Sequence, residues 1–135
     1  MDRLSPAARS ENMRRVPSKN TLLEQTVRKA IHALGYRYRL HRRDLPGTPD
    51  IVLPRFRLAI FVHGCFWHGH EGCPAASVPK SNVEFWAAKL SANVARDRAA
   101  AEALKKAGWN VEVIWGCQLR KKTLRSRLDA ILPSK

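Results

Sequence analysis

A chain of 135 residues, 44% of them hydrophobic, can build one domain with a real core but not two. Its 25 Lys and Arg stand against 11 Asp and Glu, and the resulting net charge of +14 draws polyanions, nucleic acid first among them. No apolar run is long enough to span a bilayer, the charged start MDRLSPAARSENMRR lacks an apolar signal segment, and three cysteines do not make a disulfide framework; a cytoplasmic protein without a membrane partner is expected.

Residues 1–20 are polar and basic. They are expected to form an N-terminal arm on DNA, with a short helix starting at Ser5-Pro6, while residues 21–135 form a single domain. Thr21 opens TLLE, a capping-box pattern closed by Glu24. Leu23, Val27, Ile31 and Leu34 then recur at helical spacing until Gly35, which predicts a helix from about 21 to 34. Tyr36 to Leu40 reads as a strand and HRRDLPGTPD as a loop. DIVL ends at Pro54 and RLAIFVH resumes at Arg57, a connection too short for a crossover, so the two strands form a hairpin. If Leu53 faces Leu58, Asp50 lies beside Phe61 and comes close to His63. Ser81-x-x-Glu84 predicts a second capped helix running to about Lys106. WNVEVIW predicts a strand, and residues from about 118 to 132 a final basic helix. The order α-α-β-β-β-α-β-α predicts a small mixed sheet flanked by helices, a three-layer α/β/α domain.

The stretch FVHGCFWHGHEGC holds most of the chemistry. Cys65, His70 and Cys73 sit on a polar, glycine-rich loop with spacing suited to tetrahedral zinc. Cys117, just past the WNVEVIW strand, reaches the same sheet edge if that strand neighbours the 57–63 strand. The set is then Cys3His, closed and structural. Spacing alone leaves His63 or His68 open as replacements for His70, and buried spectator cysteines as the plainer alternative.

Asp50 at a strand start, with His63 across the hairpin, can hold Mg2+ and through it a substrate phosphate. A neutral histidine nearby can take a proton from an attacking water. Asp50 alone is a turn residue after proline, but together with His63, His68 and the basic charge it favours a nuclease. Glu24 is either a helix cap or a group that supports the metal through water. Phe66 and Trp67 either cover the zinc loop or form a wedge that unstacks a duplex, which Trp86 can join. Met13 is a loose residue of the arm or a probe from the other groove.

The segments RSENMR, LPGTPDIVL, HGCFWHGHEGC, EFW followed by N-V-x-R-D, and VIWGCQLR stand in order from about residue 9 to 120. They closely resemble the very-short-patch repair (Vsr) DNA mismatch endonucleases. The resemblance implies a fold similar to type II restriction enzymes and a Mg2+-dependent nick 5′ to the thymine of T:G mismatches left by 5-methylcytosine deamination. It implies Asp50 as the metal carboxylate, Val62 as a carbonyl ligand to magnesium, His68 as general base, His63 as transition-state stabiliser, and Glu24 as holder of metal-bound water. Cys65, His70, Cys73 and Cys117 would bind structural zinc. Phe66, Trp67 and Trp86 would intercalate, Met13 would approach from the minor groove, and Lys89 and Asn93 would face the mismatched bases. The expected partners are double-stranded DNA and mismatch-repair proteins of the MutL type, met by a monomer at the bacterial nucleoid. The sequence departs from the family in having Val62 where threonine is common, and in a longer spacing from His70 to Cys73. A restriction-like nuclease without mismatch specificity and a non-catalytic zinc-bearing DNA-binding module are the rival readings.

Overall fold

The structure is a computed structural model that describes residues 21–74 and 80–134. The expected arm over 1–20, with its helix at Ser5-Pro6 and Met13, lies outside the described residues. In chain order the elements are α1 (Thr21–Ala33), β1 (Arg39–Leu40), β2 (Ile51–Leu53), β3 (Leu58–His63), α2 (Val83–Lys106), β4 (Asn110–Trp115) and α3 (Lys121–Ile131). One four-stranded sheet runs in the order β1-β2-β3-β4. Its first two pairings are antiparallel and β3/β4 is parallel, so α2 is the crossover of a β-α-β unit.

Strand alternation sorts the core into two layers. Leu58, Ile60 and Val62 of β3 pack with Ile51 and Leu53, Ile114, and the apolar stripes of α1 (Val27, Ile31) and α3 (Leu124, Leu128). The opposite face of β3, Ala59 and Phe61, packs with Leu104 of α2 and with Ala100, Val111 and Val113 around it. The predicted α/β/α layering therefore holds, with β3 buried along its whole length.

The hairpin register is the expected one, with Leu53 opposite Leu58 and Ile51 opposite Ile60. A 3-10 turn over Pro54–Phe56 closes it, and Arg57 in the left-handed region (φ 50) turns the chain back.

Several boundaries move. The strand expected over Tyr36–Leu40 shrinks to Arg39–Leu40, because β2 offers only three residues to pair with. Tyr36 instead bonds through its hydroxyl to the Pro133 carbonyl and packs its ring on Phe56 at 5.9 Å. The capping box Ser81-x-x-Glu84 does not form: α2 starts at Val83, and its N-cap is Asn82, left-handed at φ 56 and making no side-chain cap. Trp109 is not in β4, since its N–H is held by the Leu104 carbonyl at the end of α2 (3.0 Å). The last helix starts at Lys121 rather than about 118, because Gly116–Gln118 form a 3-10 turn. Gln118 Oε1 in that turn accepts the Trp115 N–H at 3.0 Å. Among the described residues, no helix is long and apolar enough to cross a membrane.

Candidate active site and metal centre

Every residue of the candidate site lies at one end of the sheet, where β2 begins and β3 and β4 end. The loop before β2 is clamped there by Gly47. At φ +73 this position favours glycine, and a Cβ would meet the Ala100 Cβ at 2.5 Å and the Phe61 ring at 3.2 Å. The loop delivers Asp50, whose side chain is buried and whose Oδ2 accepts the Val62 N–H at 2.8 Å. Glu24 arrives from the first turn of α1 and is equally buried. Its carboxylate meets His41 Nε2 and lies 3.6 Å from Arg28. Glu24, His41 and Asp50 each offer a ligand atom, all within 4.8 Å of one another. Two carboxylates gathered this closely repel unless a cation joins them. The donor set thus fits a divalent ion.

The histidines form a second cluster rather than joining Asp50. His63, at the end of β3, stacks on His68 with ring centroids 3.8 Å apart and planes 3° apart. His68 Nδ1 lies 2.7 Å from Asp97 Oδ2 on α2. His63, His68 and Asp97 again fit within 4.8 Å. The two clusters are linked through the chain: Val62, whose N–H fixes Asp50, is the neighbour of His63. Burial, and then the adjacent His68, lowers the His63 pKa from 6.5 to about 4, with Asp97 pulling weakly the other way. His63 is therefore neutral at neutral pH, and among the described residues nothing hydrogen-bonds its buried Nδ1.

Tight turns shape the loop that follows: the N–H groups of His68 and His70 bond back to the Gly64 and Cys65 carbonyls at 3.1 and 2.9 Å. The loop brings Cys65, His70 and Cys73 together with Cys117, all ligand atoms within 4.8 Å. The parallel register explains the meeting. His63 pairs with Trp115, so Cys65 and Cys117 each lie two residues past the paired ends. The Cys117 N–H points at Cys65 Sγ (3.4 Å), and Cys117 Sγ lies 3.5 Å from His70 Nδ1. Although Cys117 is an exposed residue, partial desolvation, then the Cys65 and Cys73 thiols beside it, pushes its pKa up to about 11. Thiols so crowded keep their protons until a soft cation takes their place, which is the donor chemistry of zinc. Of the ligands left open by spacing, His70 joins this cluster, while His63 and His68 join the other.

Phe66, Trp67 and Trp86 pack edge to face in one group, with centroids 5.1 to 5.9 Å apart. Trp86 is its buried member, Phe66 and Trp67 are half-buried, and Phe85 extends the group outward at 55% exposure. Lys89 is exposed. The Asn93 amide donates to the Trp67 carbonyl at 2.8 Å, so in the free protein it steadies the loop.

Three residues with a place here were not singled out in the sequence. Asp97 had a readable signal. Positions 86, 90, 93, 97, 100 and 104 form one stripe of α2 that faces the loop and sheet, and a lone carboxylate on such a stripe marks a site. His41 was hidden in an arginine-rich loop. Trp115 stacks on His70 (4.0 Å) and meets His63 edge-on (5.1 Å), which ties the cysteine cluster to the histidine cluster. As the last apolar residue of a strand, it reads simply as core.

An α/β/α domain with a carboxylate–histidine centre, a histidine pair beside an aspartate and a Cys3His cluster defines the class: an α/β domain whose clustered donors at one sheet end could hold metal ions. The comparisons narrow it. Residues 1–74 match the family model for the DNA mismatch endonuclease Vsr. The chain is 54% identical over 132 residues to the type II nicking enzyme V.XorIIP of Xanthomonas oryzae pv. oryzae, covering 97% of this chain and 96% of that one. It is 39% identical over 132 residues to the type II nicking enzyme V.NmeAIP of Neisseria meningitidis, covering 97% and 94%. It is 40% identical over 114 residues to the DNA mismatch endonuclease Vsr of Escherichia coli K12, covering 84% and 72%. The chain belongs to the Vsr DNA mismatch endonuclease family, and it is an endonuclease, a hydrolase that cleaves DNA.

Proposed function

We propose that this endonuclease depends on Mg2+ and nicks duplex DNA 5′ to the thymine of T:G mismatches left by deamination of 5-methylcytosine. The observation that carries the reading is the histidine pair held by Asp97 and joined to the Asp50 cluster through the Val62–Asp50 hydrogen bond. Relatives named as nicking enzymes and as a mismatch endonuclease support single-strand cutting at mismatches. The layered fold, with a metal-binding carboxylate at the head of a hairpin strand, supports a restriction-endonuclease-like architecture.

Asp50, with Glu24 close by and the Val62 carbonyl, would hold the magnesium. Bound there, it supplies positive charge to the scissile phosphate and acidifies water. Asp97 accepts the Nδ1 proton of His68 and so leaves the far nitrogen with a lone pair. That nitrogen takes a proton from the attacking water as its oxygen bonds to phosphorus and the bond to the leaving oxygen breaks in line. Neutral His63, stacked on His68, would donate its ring N–H to a non-bridging oxygen of the crowded phosphorus centre without adding a second imidazolium. Cys65, His70, Cys73 and Cys117 would hold a structural zinc that leaves no open position. Phe66, Trp67 and Trp86 would wedge beside the mismatch, with Met13 from the arm over 1–20 opposite them and with Lys89 and Asn93 at the bases. The protein would act as a monomer in the bacterial cytoplasm, beside repair proteins of the MutL type.

The test is nicking of otherwise identical T:G, T:A and C:G duplexes in Mg2+ and in EDTA. Cutting confined to T:G and abolished by EDTA is expected. Equal cutting of all three contradicts mismatch specificity, and cutting in EDTA contradicts the metal.

A further inference from the structure

We propose that His41 is a direct nitrogen ligand of the catalytic cation, which makes the centre a mixed Glu24–His41–Asp50 site suited to Mn2+ as well as Mg2+. The inference rests on the reading of Asp50 and Glu24 as the cation site.

His41 is aimed at that site by its backbone. It directly follows β1 in the left-handed region (φ 48), a backbone conformation that is strained for a residue other than glycine. Its N–H bonds to the Asp50 carbonyl at 3.1 Å, so the two residues are fastened together through the main chain. Its Nε2 faces Glu24 Oε1, and all three donors converge within 4.8 Å. The position between an imidazole nitrogen and a carboxylate oxygen takes either a proton or a metal ion. Glu24 already has Arg28 from its own helix at 3.6 Å, so charge balance alone does not require a histidine. The two carboxylates are buried, whereas 38% of the His41 side chain is exposed, so His41 forms the side of the cluster nearer solvent. An all-oxygen site suits Mg2+, and an added imidazole moves preference toward the first-row transition ions.

The test uses the full-length, zinc-loaded protein without DNA. Bound Mn2+ is counted by electron paramagnetic resonance, and its ligands are read from electron spin-echo modulation. Expected are nitrogen-14 modulation on Mn2+ in the wild type and in His68→Gln, and its loss in His41→Gln. The His41→Gln variant should bind Mn2+ about tenfold more weakly while Mg2+ binding changes less. Bound Mn2+ without nitrogen modulation in the wild type, or modulation that persists in His41→Gln, overturns the role of His41 and leaves the carboxylate site standing. Mn2+ binding unchanged by Asp50→Asn overturns both the site and the inference.

Discussion

His68 is held on two sides, by the His63 ring at 3.8 Å and by Asp97 at 2.7 Å. Asp97 positions an imidazole, so its loss should damage rate and spare binding. Asp97→Asn is expected to lower the single-turnover nicking rate by about 100- to 10,000-fold with DNA affinity retained. Wild-type turnover would remove Asp97 from the machinery. His63 carries a pH signature. Its folded pKa is depressed to about 4 from 6.5 by burial and by His68. Above the ordinary value both folded and unfolded chains carry it neutral. As pH falls from 6.5 toward about 4, the unfolded chain takes up a proton that the folded chain refuses, so stability is lost across that window. The His63 imidazole followed by nitrogen-15 NMR should stay neutral through the neutral range; an ordinary titration there would contradict its burial. Gly47 is the third residue whose role is local. Gly47→Ala meets both a left-handed φ and the Ala100 Cβ, so urea unfolding should show a loss of about 2–4 kcal/mol. Of these residues His63 and His68 were readable from their loop, because polar rings beside glycines have few structural uses. Asp97 left a weaker signal, a lone carboxylate on the inward stripe of α2, and His41 left none, since its role depends on Glu24 and Asp50.

Among the elements, β3 and β4 explain the site best. Parallel pairing with His63 opposite Trp115 forces the residues beyond both strand ends side by side. This is why four candidate ligands from a loop and a distant 3-10 turn converge. Cys117→Ser should lower the zinc-to-protein ratio and the melting temperature by on the order of 5–10 °C. An unchanged ratio would remove Cys117 from the site. This convergence was legible in advance, because a cysteine just past a strand has only a neighbouring strand end to meet. The direction of α2 was less legible. Only Trp86, Leu90 and Leu104 are buried along its length, and its capping signal at Ser81 is overridden by the left-handed Asn82. Its role follows from partners on the loop, namely Trp67 for Asn93 and His68 for Asp97.

For the molecule as a whole, one sheet end carries three tasks in adjoining space. A Cys3His cluster joins the loop to the turn after β4, Trp115 links that cluster to His63, and Val62, next to His63, bonds to Asp50 of the carboxylate cluster. The layering was legible because strand alternation and helix stripes are local patterns with a single buried solution. The division into two donor clusters was not. The hairpin register places Asp50 near the end of β3, and only the arrival of α1, β1 and α2 decides that Glu24 and His41 join Asp50 while Asp97 joins the histidines. The most direct test of this arrangement is a strand-resolved nicking assay on one T:G duplex in Mg2+, with wild type beside His68→Ala. The wild type should make a single break 5′ to the thymine, and the variant should bind within about threefold of wild type yet leave both strands whole. Nicking by His68→Ala at the wild-type rate would contradict the account.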